Sequence, residues 1–174
     1  MNRSLLRWAV VPVLAVAIVL LDQRTKGLIE ANIPLWGGIA PFPALEPYFH
    51  LVHYQNTGIA FGLLQGLGGI HIVVPLVVII GILYFAITLP DASLPLLLCL
   101  GLMLGGAIGN LVDRLQHAGK VTDFLLFSLP VGDRVFAWPA FNVADTCIVV
   151  GTILLGVLLI LQEGKQDQTS APAS

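Results

Sequence analysis

The chain has 174 residues, 57% of them hydrophobic and 10% charged, where a soluble domain carries about 25% charged residues. A mean hydropathy of +0.92 and a formal net charge of −2 exclude a soluble globular domain and give no electrostatic basis for binding nucleic acid. The length suits one compact bundle of membrane helices.

The N-terminus places Arg3 and Arg7 before WAVVPVLAVAIVLL, like a secretory signal. No A-x-A-like cleavage site follows. DQRTK comes instead and continues a helical pattern, so this segment reads as an uncleaved first span over residues 4–21, extended by DQRTKGLIEA. Three more apolar stretches reach the roughly 20 residues that cross a bilayer, at residues 70–89, 92–112 and 141–161. Pro12, Pro75 and Pro95 fall inside spans, where neighbouring helices tolerate them. Spans two and three are joined by PD alone and form an antiparallel hairpin. The other two connections, residues 32–69 and 114–140, are long and lie on one side. FHLVHYQNTGIAFGLL in the first, and VTDFLLF and RVFAW in the second, alternate like strands and predict a small β-rich platform at the membrane surface. The expected fold is mainly α, polytopic, with four transmembrane helices in a single domain (residues 1–164) and a disordered polar tail (165–174). Counting Lys and Arg by loop leaves the orientation ambiguous.

An ionised Asp at the centre of a membrane helix costs about 2.5–3.5 kcal/mol, so ionisable residues in spans are functional candidates. Asn142 and Asp145 share a face of the fourth span, and Val149, Thr152 and Gly156 extend it as a stripe expected to face the bundle. In the third span Gly101, Gly105 and Gly109 form a double small-xxx-small pattern, expected to admit another helix closely, and the third and fourth helices are expected to pack together. Gly106, Asn110 and Asp113 share a face at its end, with Arg114 next. Asp22 and Lys26 are spaced i, i+4, as in a helix-end salt bridge. Asp123 is bracketed by apolar residues in VTDFLLF, which suggests a desolvated carboxylate. Two carboxylates brought together in a low-dielectric site share one proton. That suits acid–base hydrolysis of an amide, in which one acid accepts a proton from water while the other polarises the carbonyl. Cys99 and Cys147 lie in apolar runs and read as small buried hydrophobes. His50 and His53 are three apart without an HExxH, and no nucleophile elbow or phosphate loop is present.

Five motifs together resemble the lipoprotein signal peptidase (signal peptidase II) family: DQRTK at 22–26, NTGIAFG at 56–62, GGAIGNLVDR at 105–114, VTDF at 121–124 and FNVAD at 141–145. They occur in the family's order and span the first helix to the last. The resemblance implies a membrane aspartic endopeptidase that removes signal peptides from bacterial prolipoproteins before a diacylglyceryl-modified cysteine. It implies Asp123 and Asp145 as the catalytic pair, with Asp22, Lys26, Asn56, Gly58, Asn110, Arg114 and Asn142 as substrate-binding or supporting residues. It also implies residence in the bacterial inner membrane, both termini cytoplasmic, an active site near the periplasmic face, and no metal or cofactor. Its partners would be lipid-modified precursors and membrane lipids, with no nucleic acid, and the chain is expected to act as a monomer. Ile59 and Thr122 depart from the alanine and valine usual in the family, and SLPVGDRVFAWPA looks longer than usual. Asp113, beside Asn110, is the one rival for the pair and is read as a structural partner of Arg114.

Two other classes fit the buried acids: a small proton-coupled transporter or channel, and a non-enzymatic assembly or lipid-binding protein. The acids gather toward one side instead of the midplane and no broken-helix repeat is visible, which weighs against transport.

Overall fold

The structure, a computed structural model, describes residues 3–56, 69–88 and 92–170. Four helices carry it: α1 (Arg3–Asn32), α2 (Ile70–Thr88), α3 (Leu94–Gln116) and α4 (Val143–Ser170). Among the described residues, α2, α3 and Val143–Gln162 of α4 are long and apolar enough to cross a membrane. By that measure three of the four expected spans are found, and α1 is not among them. The polar end of the chain, expected to be disordered, is helical as far as Ser170; Glu163, Lys165, Gln166 and Gln168 are all good helix formers. The short connection at 89–91 lies outside the described residues.

The helix α3 is central because its sequence gives it two close-packing faces. A Cβ at Gly101 would lie 2.9 Å from Leu14, and one at Gly105 would lie 2.8 Å from Ile18 and 3.0 Å from the Ala15 backbone. The small-xxx-small stripe therefore seats another helix closely, as expected: α1 along its length, with Ala144 of α4 also beside Gly109. Gly106, one residue round the helix, faces α4, where a Cβ would run into the Ala144 carbonyl oxygen and lie 2.7 Å from Ile148. The packed face of α4 consists of Ala144, Ile148 and Gly151, whose missing Cβ would sit 2.8 Å from Met103. The stripe predicted to point inward instead leaves Val149 at 54% exposure and Gly156 with open space beside it. It is one residue, or about 100°, away from the face that packs.

On α1 the buried positions are Val11, Ala15, Ile18, Asp22, Lys26 and Ile29. Their 4-3-4-4-3 spacing is one continuous stripe, so the two charged residues are desolvated by the same geometry that buries the aliphatic ones. Val11, Ala15, Ile82, Leu97, Leu100 and Leu104 form the apolar core of α1, α2 and α3.

Helix α3 ends in a left-handed turn. Ala118 (φ 53°) and Gly119 (φ 89°) both lie in the region that favours glycine. Gly119 N–H donates to the Arg114 carbonyl at 2.7 Å, a six-to-one closure of the helix end. This reverses the chain immediately into a strand. The strands are β1 (Gly38–Ile39), β2 (Phe49–Asn56), β3 (Val121–Val131) and β4 (Arg134–Ala137). They form one sheet in the order β1-β2-β3-β4, antiparallel throughout. Because β1 and β2 come from the first long connection and β3 and β4 from the second, the sheet ties both connections to one end of the bundle, as the platform expectation required. The β3–β4 turn has Gly132 (φ 58°) first, the position glycine takes in a two-residue hairpin. Ile29, Ile33 and Phe124 pack beneath the sheet.

Candidate active site

The sheet register brings Asp123 to the helix ends. Tyr54 pairs with Asp123 and Asn56 with Val121, and Asn56 Nδ2 donates to Asp123 Oδ2 at 3.2 Å. Asp123 is 4% exposed, although its strand lies at the edge of the bundle.

Asp145 is held by the start of its own helix. Asn142 Oδ1 accepts the Asp145 N–H at 2.9 Å, and Asp145 Oδ2 accepts the Asn142 N–H at 3.2 Å. This reciprocal pair is a capping box, with Asn142 as N-cap and Asp145 three residues on. Asp145 is thus the third residue of α4, nearer the helix end than a span beginning at residue 141 implies. Asn142 is fully buried, and its side-chain amide also donates to Asp123 Oδ1 at 2.8 Å. One residue therefore binds both carboxyl groups. The remaining Asp145 oxygen, Oδ1, accepts from Asn110 Nδ2 at 2.7 Å.

Burial pushes the Asp123 carboxyl up from 3.8 to about 7, and the neighbouring charge of Asp145 adds to the rise. Hydrogen bonds from Asn56 and Asn142 and the charge of Lys26 oppose it, with smaller effect.

Beneath the pair lies a buried ionic layer. Lys26 Nζ contacts Asp22 Oδ2 at 2.8 Å and Asp113 Oδ2 at 2.9 Å. What the sequence suggested as a helix-end pair is thus a bridge with a third member, and both Asp22 and Lys26 are inaccessible to solvent at 0% and 2% exposure. Asp22 Oδ1 also accepts the Ala144 N–H at 3.0 Å, a second side-chain cap on α4. Asp113 accepts from Gln23 Nε2 at 2.8 Å and from the Thr122 N–H at 2.9 Å. Arg114 was its expected partner; its bonds run instead to Lys26 and Gln23 of α1 and to β3, and its charge acts on Arg114. Arg114 Nη1 donates to the Asn110 carbonyl at 3.1 Å, and Arg114 also feels the charges of Asp145 and Asp123.

The structure therefore gathers Asp22, Lys26, Asn56, Asn110, Arg114, Asp123, Asn142 and Asp145 at one end of the bundle. Gly58 lies outside the described residues. His53 is buried and pairs through Nδ1 with the Ile33 carbonyl at 2.8 Å, a structural contact. Sequence reasoning missed Gln23 and Thr122. Thr122 donates its hydroxyl to Glu30 Oε1 at 2.7 Å, tying the strand of Asp123 to α1. Gln23 could have been found as the neighbour of Asp22 within DQRTK.

Two carboxyl groups under shared amide donors, at the end of an apolar helical bundle, have the makings of an acid–base hydrolase. The comparisons agree with that class. The family model for signal peptidase (SPase) II matches residues 14–161. A lipoprotein signal peptidase of Symbiobacterium thermophilum is 41% identical over 154 residues, 88% of this chain and 95% of the relative. One of Caldanaerobacter subterraneus is 42% identical over 153 residues, 87% and 97%. A solved structure described as a bacterial membrane enzyme, obtained by the in meso method at 2.3 Å resolution, superposes with a TM-score of 0.72 at 26% identity, covering 93% of each chain. Another, at 1.9 Å, gives 0.71 at 29% identity over 84% of this chain and 90% of the other. The fold and the matched family are those of a membrane protease of the aspartic type. The chain belongs to the signal peptidase II family.

Proposed function

We propose that this protein removes signal peptides from bacterial prolipoproteins, cutting the peptide bond before a diacylglyceryl-modified cysteine, with Asp123 and Asp145 acting together on one water. The observation that carries the reading is that Asn142 holds both carboxyl groups, at 2.8 Å through its side-chain amide and 3.2 Å through its backbone N–H. Asp123, the more deeply buried acid and raised to about 7, carries the shared proton. Asp145, at the positive end of α4, is the ionised partner. The carboxylate takes a proton from water as the water oxygen bonds to the scissile carbonyl carbon. Asp123 gives its proton to the carbonyl oxygen. Collapse of the tetrahedral species breaks the C–N bond, one of its hydroxyl protons returns to Asp123 as the new carboxyl forms, and the proton held by Asp145 goes to the leaving amine.

Asn56 and Asn110 fix the outer oxygens of the pair, Asp22 and Lys26 brace the helix ends, and Arg114 acts on both acids through its charge. Position suits the substrate, because a signal helix in the bilayer presents its end where α3, α4 and the sheet meet. In this reading α1 is the fourth span, the protein is a monomer of the inner membrane, and both termini are cytoplasmic. Supporting that topology, α1 runs toward the site and α4 runs away from it, the two meeting where Asp22 accepts the Ala144 N–H. Precursors and lipids are the partners; no metal or cofactor enters the chemistry.

The test is Asp123→Asn and Asp145→Asn, each confirmed as inserted, followed by cleavage of a lipidated precursor. Both are expected to abolish cleavage. Activity retained in either removes that residue from the pair.

A further inference from the structure

The buried lysine of the site has no route to substrate. Lys26 is 2% exposed, and its ammonium has three hydrogens to donate. All three have acceptors: Asp22 Oδ2 at 2.8 Å, Asp113 Oδ2 at 2.9 Å and Asn110 Oδ1 at 3.1 Å. The third of these matters for Asp145.

A carboxamide has a donating end and an accepting end of nearly equal size, and only its partners decide which way it points. Asn110 donates from Nδ2 to Asp145 Oδ1 at 2.7 Å. Turned over, Asn110 would put its oxygen against a carboxylate and its NH2 against an ammonium, two repulsions in place of two charge-assisted bonds. The other donor to Asn110 Oδ1 is Asn142 Nδ2 at 3.2 Å. That amide has two hydrogens and also serves Asp123 at 2.8 Å and the Thr122 carbonyl at 3.3 Å, so its hold on Asn110 is shared. Lys26 supplies the unshared, charged donor.

We infer that Lys26 is a positioning residue for Asp145, acting through Asn110: by binding Oδ1 it commits the carboxamide to donate to the Asp145 carboxyl. This rests on the proposed acid pair and adds to it a residue that touches neither reacting atom. The charged groups around Asp123 are Asp145 from α4, Lys26 from α1 and Arg114 from α3, and Lys26 pulls the Asp123 carboxyl down. Its removal leaves a second signature, an alkaline limit of activity displaced to higher pH.

The experiment measures kcat and KM on a diacylglyceryl peptide across pH for Lys26→Met, Asn110→Ala, the double variant and Asn110→Asp. Misplacing an acid by about 1 Å costs about 100-fold, so Lys26→Met is expected to lower kcat about 100-fold, leave KM within about twofold, and raise the alkaline limit. In the Asn110→Ala background the same substitution is expected to cost almost nothing further in kcat, because the two act in series. Additive losses overturn the inference, as does wild-type kcat in Lys26→Met. If Lys26→Met does not fold, Asn110→Asp decides. It keeps Lys26 and its ion pairs but cannot donate to Asp145, and wild-type kcat in that variant overturns the inference. Failure of the acid pair itself is read separately, as activity surviving in Asp145→Asn.

Discussion

Replacing Asp123 by Asn makes its neutral form permanent with almost no change in shape, and the consequence for stability has a definite sign. In the folded protein the carboxyl is raised from 3.8 to about 7 by burial and by Asp145. Below about pH 4 the group is neutral whether folded or unfolded, and its contribution to stability is fully present. Between about 4 and 7 the unfolded chain releases the proton and the folded chain keeps it, so stability is lost as pH rises through the folded value. At about 1.4 kcal/mol per pH unit, the loss amounts to about 4 kcal/mol. Asp123→Asn does not share it. The variant is therefore expected to gain on the wild type steadily from pH 4 to 7 and to hold that lead above 7. The assay is unfolding by SDS from mixed micelles at half-unit steps from pH 4.5 to 8.5, comparing free energies of the two proteins. A constant offset reflects only the exchange of carboxyl for amide. A difference that stays flat, or shrinks with rising pH, refutes a neutral Asp123 buried against an ionised neighbour.

The same raised acid sets an alkaline limb on catalysis. Cleavage by the wild type should fall tenfold per pH unit above about 7 as the pair loses its shared proton, measured as kcat across pH; a limb beginning above 9 would contradict the assignment of that proton to Asp123. Close packing can be tested apart from chemistry. Gly106→Ala drives a Cβ into the Ala144 carbonyl oxygen and to 2.7 Å from Ile148 and should destabilise by about 1–3 kcal/mol. Gly156→Ala meets nothing within 4 Å and should stabilise α4 by about 0.5–1 kcal/mol; unfolding of both in the same micelles checks the contrast.

Much of the layout could be read from the residues because it follows from local rules. Long apolar runs give helices, alternation in VTDFLLF and FHLVHYQN gives β3 and β2, and Asn142 three before Asp145 gives a shared helix face. What could not be read is which neighbour each face meets. A glycine stripe permits close approach by any helix, so Gly101, Gly105 and Gly109 did not reveal that α1 lies along them. Asp22 and Lys26 look like a surface pair at i, i+4, and nothing local shows that Asp113 arrives from α3 to bury them. The error over Val149, Thr152 and Gly156 has the same origin. The polar pair at the start of α4 turns toward the site, while the helix below it packs on the next face round, through Ala144, Ile148 and Gly151.

The site is built from the hydrogen bonds that begin a helix, which separates two jobs of Asn142. As N-cap it accepts the Asp145 N–H; as a bridge it donates to Asp123 and Asn110. Serine caps helices about as well as asparagine, whereas alanine at an N-cap costs about 0.5–2 kcal/mol. A serine hydroxyl is too short to reach Asp123 while capping. Asn142→Ser should therefore be more stable than Asn142→Ala by about 1 kcal/mol, yet both should lose cleavage by about 100-fold or more, the scale on which one misplaced catalytic group is felt. Equal stability with equal inactivity would mean that Asn142 does not cap α4. Full activity in Asn142→Ser would mean that capping is all it does, and that the two acids find each other without the amide between them.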